Sequence, residues 1–200
     1  MSVLLIIGAG GHGKSVADAA LESGQWDEII FLDDAWPGKL SNGHWNICGN
    51  THQLDAWKSN CDSAVVAIGN NHLRMDLQSK LIAAGIKIAT IIHPSARVSC
   101  FACLGAGCVV LANAVVNIDA KIGEAAIIGP SVVIDHDCCL GDGVHIATGA
   151  NLGGGVVIGD YSRVGIGAAV CHYVTLGANL TVGAGAVVVC DIKGINNEIS

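Results

Sequence analysis

Ile134-Asp135-His136-Asp137 sets one imidazole between two carboxylates. Imidazole exchanges a proton near neutral pH, and an acceptor on one ring nitrogen fixes the tautomer and raises the basicity of the other. Asp137 is read as the orienting acid and Asp135 as its competitor. Gly154 and His172 follow His136 at two equal intervals, Gly155 adjoins Gly154, and His145 lies half of one such interval beyond His136. The pattern puts a proton acceptor beside side-chain-free backbone. Its bland counterpart is a surface histidine among solvated acids, and for His145 an ordinary polar strand residue. A second constellation lies near the amino terminus, where Gly8, Gly10 and Gly13 satisfy G-x-G-x-x-G and Asp33 follows at the next strand end. Glycines there allow close approach to phosphate, and an acid at that distance suits ribose hydroxyls.

The equal spacing acquires meaning from the elements that carry it. From Ile92 to Val188 an aliphatic residue recurs at every sixth position, and a small one such as Ala114, Ala120 or Cys138 follows four places later. A helix of 3.6 residues per turn would smear that period around its surface, and a single strand alternates with period two. Three short strands per coil satisfy it: each hexad forms one flat face of a triangular prism, with the aliphatic residue inside and the small residue turning the corner. The predicted fold is a left-handed parallel β-helix over 91–200, in which positions three hexads apart sit on successive coils about 4.8 Å apart. His136, Gly154 and His172 then form one outward column. His145, half a coil away, meets a His136 only across a cleft between packed prisms, which predicts a cyclic trimer with sites between subunits.

Residues 1–90 follow a different pattern. Val3-Leu4-Leu5-Ile6-Ile7 reads as a buried strand, residues 12–23 as a helix, and 28–32 as a second strand. A strand at 64–68, a helix at 72–84 and a strand at 87–91 complete a Rossmann-like α/β half-domain with a parallel sheet. Its length suits one nucleotide better than the two halves of a dinucleotide-binding domain. A nicotinamide-dependent enzyme is the rival reading of the glycine loop, and a tight strand-to-helix turn without ligand is the bland one.

Hydrophobic residues make up 52% of the chain and aromatics only 4%, so the interior must be aliphatic. A net charge of -7 without a basic run argues against nucleic acid or an anionic membrane surface as partner. No apolar run approaches a membrane span, and the amino terminus runs into the glycine turn, so a cytoplasmic protein without membrane insertion is expected. Cys100 and Cys103 have the spacing of half a zinc site but lack a second pair. No metal is expected, and the nine cysteines are read as reduced, buried small hydrophobes.

The hexads resemble those of the left-handed β-helix acyltransferases. Together with Gly8-Ala9-Gly10-Gly11-His12-Gly13-Lys14, Phe31-Leu32-Asp33-Asp34 and Ser131-Val132-Val133-Ile134-Asp135-His136-Asp137-Cys138, they are similar to the sugar acetyltransferases of bacterial glycan synthesis. That group includes sialic acid O-acetyltransferases and N-acetyltransferases for nucleotide-linked 4-amino-sugars, such as the bacillosamine pathway enzyme. The resemblance implies homotrimers with acetyl-coenzyme A between neighbouring prisms. It makes His136 the general base, Asp137 its orienting acid, His145 a second active-site histidine and the Gly154 N–H the partner of the thioester oxygen. Gly155 and His172, beside Gly154, are assigned with it to acetyl-coenzyme A. The nucleotide-sugar falls to Gly8, Gly10, Gly11, His12, Gly13, Asp33, Asp34, Gly69 and Asn70. The implied reaction acetylates the amine of a nucleotide-activated amino-sugar, a UDP-4-amino-4,6-dideoxy-sugar being favoured and sugar O-acetylation the alternative. Two features depart from the family pattern: Gly129 replaces an asparagine of some relatives, and residues 190–200 contain no Gly-x-Pro-Ala segment.

Overall fold

Uninterrupted aliphatic runs make strands that are covered on both faces, and the amino-terminal sheet is built on them. The computed structural model describes residues 1–193 and the backbone of Glu198–Ile199. Contacts divide the chain into two units, Met1–Pro94 and Ser95–Ser200. In the first, the elements run β1 (Val3–Ile7), α1 (Gly11–Ser23), β2 (Glu28–Leu32), β3 (Ser41–Asn42), β4 (Trp45–Gly49), α2 (Leu54–Trp57), β5 (Ser63–Val66) and α3 (Asn71–Ala83). The sheet order is β3-β4-β2-β1-β5, parallel except for the β3–β4 hairpin. Leu4, Leu5, Ile6 and Ile7 of the interior strand β1 are wholly buried. Helix α1 buries Val16, Ala17, Ala19 and Ala20, α3 buries Leu77 and Leu81, and α1 ends at Gly24 in the left-handed conformation.

Two local expectations are corrected. The strand expected at 87–91 is reduced to one bridge, Ala64 to Ile88, because Ile91–Ile92 already follows the hexad rhythm. The β3–β4 hairpin was not expected; Asn42 pairs with Trp45, and its two-residue loop is Gly43-His44, with Gly43 at φ +67°.

In the second unit, two-residue strands from Arg97–Val98 to Val187–Val188 stack as parallel ladders whose registers step by three hexads. Val115 pairs with Val133 and Val133 with Asn151, while Ile127 pairs with His145 and His145 with Arg163. This is the left-handed parallel β-helix that the hexads predict. The aliphatic residue of each strand points inward, as Ile128, Ile134 and Ile146 do, all wholly buried.

The corners differ from expectation. The small residue four places after each aliphatic one does not turn the chain. Ala114, Ala120, Ala126 and Cys138 are buried in the same core, filling space between the aliphatic layers. The turn is made one position earlier, in the left-handed backbone region, by residues such as Asn113, Asp119 and Asp137 or by glycine at 143, 149, 155 and 167. Glycine directly after the aliphatic residue has a packing cause: a Cβ on Gly123 would lie 2.6 Å from the carbonyl carbon of Gly141 on the next coil. Of the nine cysteines, all free, only Cys108 and Cys138 are buried, so the expectation of buried thiols holds for those two alone. The others lie on outward strand positions, corners or loops, where nothing covers them fully. In the terminal segment that departs from the family pattern, residues 194–197 and 200 lie outside the described residues.

The inward and outward assignments can be tested by stability. Ile128→Ala should cost about 2–5 kcal/mol in urea unfolding, and Val133→Ala, on an outward position, about 0.5 kcal/mol. Equal losses would contradict the register.

Candidate active site

His136 sits in a corner after the strand Val133–Ile134, and the next residue, Asp137, adopts φ +60°. Aspartate tolerates this region better than most residues. Its carboxylate returns to the imidazole, and His136 Nδ1 donates to Asp137 Oδ2 at 2.7 Å. That contact, followed by the charge of Asp135, raises the His136 pKa above its ordinary value. Asp135 serves the main chain: its Oδ1 accepts the His136 backbone N–H at 2.8 Å and Asn117 Nδ2 at 3.0 Å. Those bonds, in that order, hold its carboxyl below the usual range. The two acids therefore differ in what they touch. Asp137 holds the ring, and Asp135 holds the corner that carries it.

With Nδ1 engaged, the opposite edge of the ring lies over Gly154. A Cβ there would stand 2.5 Å from both His136 Cε1 and Nε2, so only glycine fits beneath the imidazole. The corner is tied to the coil above by Gly155 N–H to the His136 carbonyl at 2.8 Å and by Tyr173 N–H to the Gly154 carbonyl at 2.9 Å. The Gly154 N–H donates to His172 Nδ1 at 2.8 Å. Counting by coils placed the three residues in one column but could not show this hydrogen bond. His145, on the strand His145–Ile146, belongs to a different ladder from Val133–Ile134.

The glycine loop has its own logic. Gly8 takes φ +105°, and a Cβ on Gly13 would collide with the Gly8 carbonyl oxygen, so both are demanded by the strand-to-helix turn. Gly10, Gly11 and Gly69 have open space where a Cβ would be, so packing does not require them. Helix α1 carries no side-chain cap at Gly10 and no acidic residue in its first turn. Asp33 is bound to the loop itself: Oδ2 accepts the Ala9 N–H at 2.6 Å and Oδ1 the Ala35 N–H at 2.9 Å. Asp34 Oδ1 accepts from the Thr51 hydroxyl at 2.7 Å and the Thr51 N–H at 3.0 Å, which holds its carboxyl below the usual range. Asn70 caps α3 by accepting the Leu73 N–H at 3.0 Å. Burial, with Arg74 nearby, lowers the His12 pKa to about 4. A cavity of about 320 Å³ is lined by Gly8, Asp33, Asp34, Thr51, His52 and Lys80 among others.

Several contributors escaped sequence reasoning. Lys39 Nζ donates to the Ala9 carbonyl at 2.6 Å and Asn42 Nδ2 to the Gly10 carbonyl at 3.1 Å, so the unexpected hairpin secures the loop's carbonyl side. Asn117 precedes Asp135 by one full coil, and the same column counting would have found it.

Residues 3–81 match the family model described as PglD N-terminal domain, and residues 119–154 match bacterial transferase hexapeptide (six repeats). The fold is similar to the acetyltransferase domain of PglB from Neisseria gonorrhoeae FA1090 in complex with acetyl coenzyme A. Identity is 40%, coverage 98% of this chain and 94% of that one, and the TM-score 0.94. The chain belongs to the hexapeptide-repeat sugar acetyltransferases. Another structure similar to this chain is PerB from Caulobacter crescentus in complex with CoA and GDP-perosamine, at 35% identity. It covers 100% of this chain and 92% of that one, with a TM-score of 0.91. UDP-N-acetylbacillosamine N-acetyltransferase of Bacillus subtilis (strain 168) is 32% identical over 114 residues, or 56% of this chain and 52% of that protein. The chain spans little more than half the length of the curated relatives it matches.

Gly154→Ala should displace His136 without disturbing the aliphatic core. The expected result is a melting temperature within about 4 °C of the parent, a shift corresponding to under about 1–2 kcal/mol, with acetyl transfer reduced by about 10². Thiol release from acetyl-coenzyme A together with thermal melts checks both.

Proposed function

We propose that this protein transfers an acetyl group from acetyl-coenzyme A to the amine of a nucleotide-activated amino-sugar, with His136 as general base. The observation that carries the reading is the sequence Asp137, His136, Gly154 in space: an imidazole oriented through Nδ1, its other edge resting on backbone without a side chain.

The neutral amine attacks the thioester carbonyl carbon, forming the C–N bond. The Gly154 N–H steadies the oxygen as it gains charge. His136 Nε2 takes the proton from the attacking nitrogen, the C–S bond breaks, and the same proton passes to the departing sulfur. Acetyl-coenzyme A is the co-substrate, and the steps require no metal.

The glycine loop is proposed to hold the diphosphate of the nucleotide-sugar. The uncapped amino terminus of α1 supplies N–H groups to an anion, and Gly10 and Gly11 permit close approach that packing alone does not demand. His12, neutral near pH 7, adds a hydrogen-bonding group rather than a charge. Asp33 positions the loop through Ala9, while Asp34, Gly69 and Asn70 border it. A UDP-linked 4-amino-4,6-dideoxy-sugar is the first acceptor to test. GDP-perosamine is the second, since a relative of each kind is similar to this chain. We further propose a homotrimer, in which His145 of one prism approaches His136 of another, acting in the cytoplasm. No helix among the described residues is long and apolar enough to cross a membrane.

His136→Ala should lower kcat by about 10² or more with an unchanged far-ultraviolet spectrum, and near-normal turnover would refute the assignment. The pH profile supplies a separate test. A base must be neutral to act, so kcat/KM should rise with pH through a His136 pKa above its ordinary value. Asp137→Asn removes the largest upward influence, so the acid limb should move to lower pH while the maximum rate falls. Movement in the opposite direction would assign the limb to another group. Thiol release measured against UDP-, GDP-, dTDP- and CMP-linked amino- and hydroxy-sugars separates N- from O-acetylation.

A further inference from the structure

We propose that His172 is a displaceable cap on the Gly154 N–H: it satisfies that donor until the thioester oxygen takes its place. The inference rests on the acyl-transfer reading above and concerns a positioning residue, not the base.

The Gly154 N–H has one hydrogen, which points at His172 Nδ1 at 2.8 Å. An acceptor nitrogen carries no proton, so His172 is neutral with its hydrogen on Nε2. One N–H cannot make two good linear bonds, so a thioester oxygen in the same position must displace the imidazole. The surroundings permit that exchange. The backbone at this corner is secured by the Tyr173 N–H to the Gly154 carbonyl and the Gly155 N–H to the His136 carbonyl, so the side chain of His172 can rotate without opening the ladder. His172 is exposed, which gives its ring room to swing outward.

Neighbouring positions fit the same device. A Cβ on Gly153 would lie 3.0 Å from His172 Nδ1, and one on Gly154 would meet His136, so the two histidines flank a notch of bare backbone. Tyr173 holds φ +60° with a bulky side chain that is 74% exposed, and its ring occupies the space where a Cβ on Gly155 would be. A large residue in that backbone region is uncommon and signals a local constraint. The His172-Tyr173 corner thus folds over Gly154-Gly155 from the coil above. In this arrangement the donor is never left bare before the acyl group arrives, and the cap competes with acetyl-coenzyme A.

The test uses the intact protein labelled with nitrogen-15 histidine. His172 should show the Nε2–H tautomer, with Nδ1 as a hydrogen-bond acceptor. Saturating acetyl-coenzyme A, without acceptor sugar, should shift Nδ1 toward the value of a free imidazole nitrogen. Free coenzyme A, which lacks the acyl oxygen, should leave it in place. Kinetics supply the second measurement. His172→Ala should lower the KM for acetyl-coenzyme A roughly three- to tenfold, the range of one net hydrogen bond, with the sugar KM unmoved. His172→Asn, whose Oδ1 stands near the position of Nδ1, should bring the KM back toward the parent value, and His172→Gln should not. An Nδ1 signal indifferent to acetyl-coenzyme A, or a raised KM in His172→Ala, overturns the cap while leaving acetyl transfer intact. Absence of acetyl transfer with every sugar, together with normal turnover in His136→Ala for any thiol release seen, removes the reading on which the cap rests and the cap with it.

Discussion

The stacking of main-chain hydrogen bonds from coil to coil is the constraint on which the second unit depends. Each strand is only two residues long, too short to be stable as an isolated hairpin element. It persists because its N–H and C=O groups pair with the coils above and below while its aliphatic side chain meets others inside. The inward layer is nearly free of polar groups, so a displaced residue has nowhere to go. Val110, Ile128 and Ile146 repeat the same inward position at successive coils, and side chains on the outward positions can vary without loss of the ladder.

The candidate active site uses this rigidity in an economical way. The corner at Asp137 already needs a left-handed backbone conformation, one that aspartate accepts, and the same residue orients the base. Position 154 must lack a side chain for the imidazole to lie against it, and its amide is held by the His172 imidazole of the next coil. Asp135 and Asn117 make no hydrogen bond to the ring, although the charge of Asp135 adds to its basicity. They tie the corner's main chain to the preceding coil. The first unit solves a different problem, securing a glycine loop between Asp33 on one side and Lys39 with Asn42 on the other.

Much of this was legible in the residues. The period of six identified the prism, and counting in threes of that period placed His136, Gly154 and His172 in one column. What spacing could not resolve was the division of labour between two acids adjacent to one histidine. Asp135 and Asp137 are equivalent in sequence distance, and only the left-handed turn at Asp137 directs one carboxylate to the ring. The roles of the small residues were inverted for a related reason: a repeat reveals which positions are equivalent, not which one bends. Ala126 reads as a corner because it is small, whereas Ala125 makes the turn and Ala126 fills the core. In the first unit, the fingerprint suggested an acid for a ribose, but Asp33 is engaged by Ala9 and Ala35, contacts that no periodicity encodes.

The coil register also limits how such a chain can change in length. One residue added within a strand would exchange inward for outward positions at that level and carry the mismatch into every coil beyond it. A whole coil of three hexads can be gained or lost with each remaining ladder intact, and an excursion can leave from a corner, where the backbone already turns. The number of coils, not the number of residues, is therefore what is quantised in this unit, and the three hexads from His136 to Gly154 are one such step.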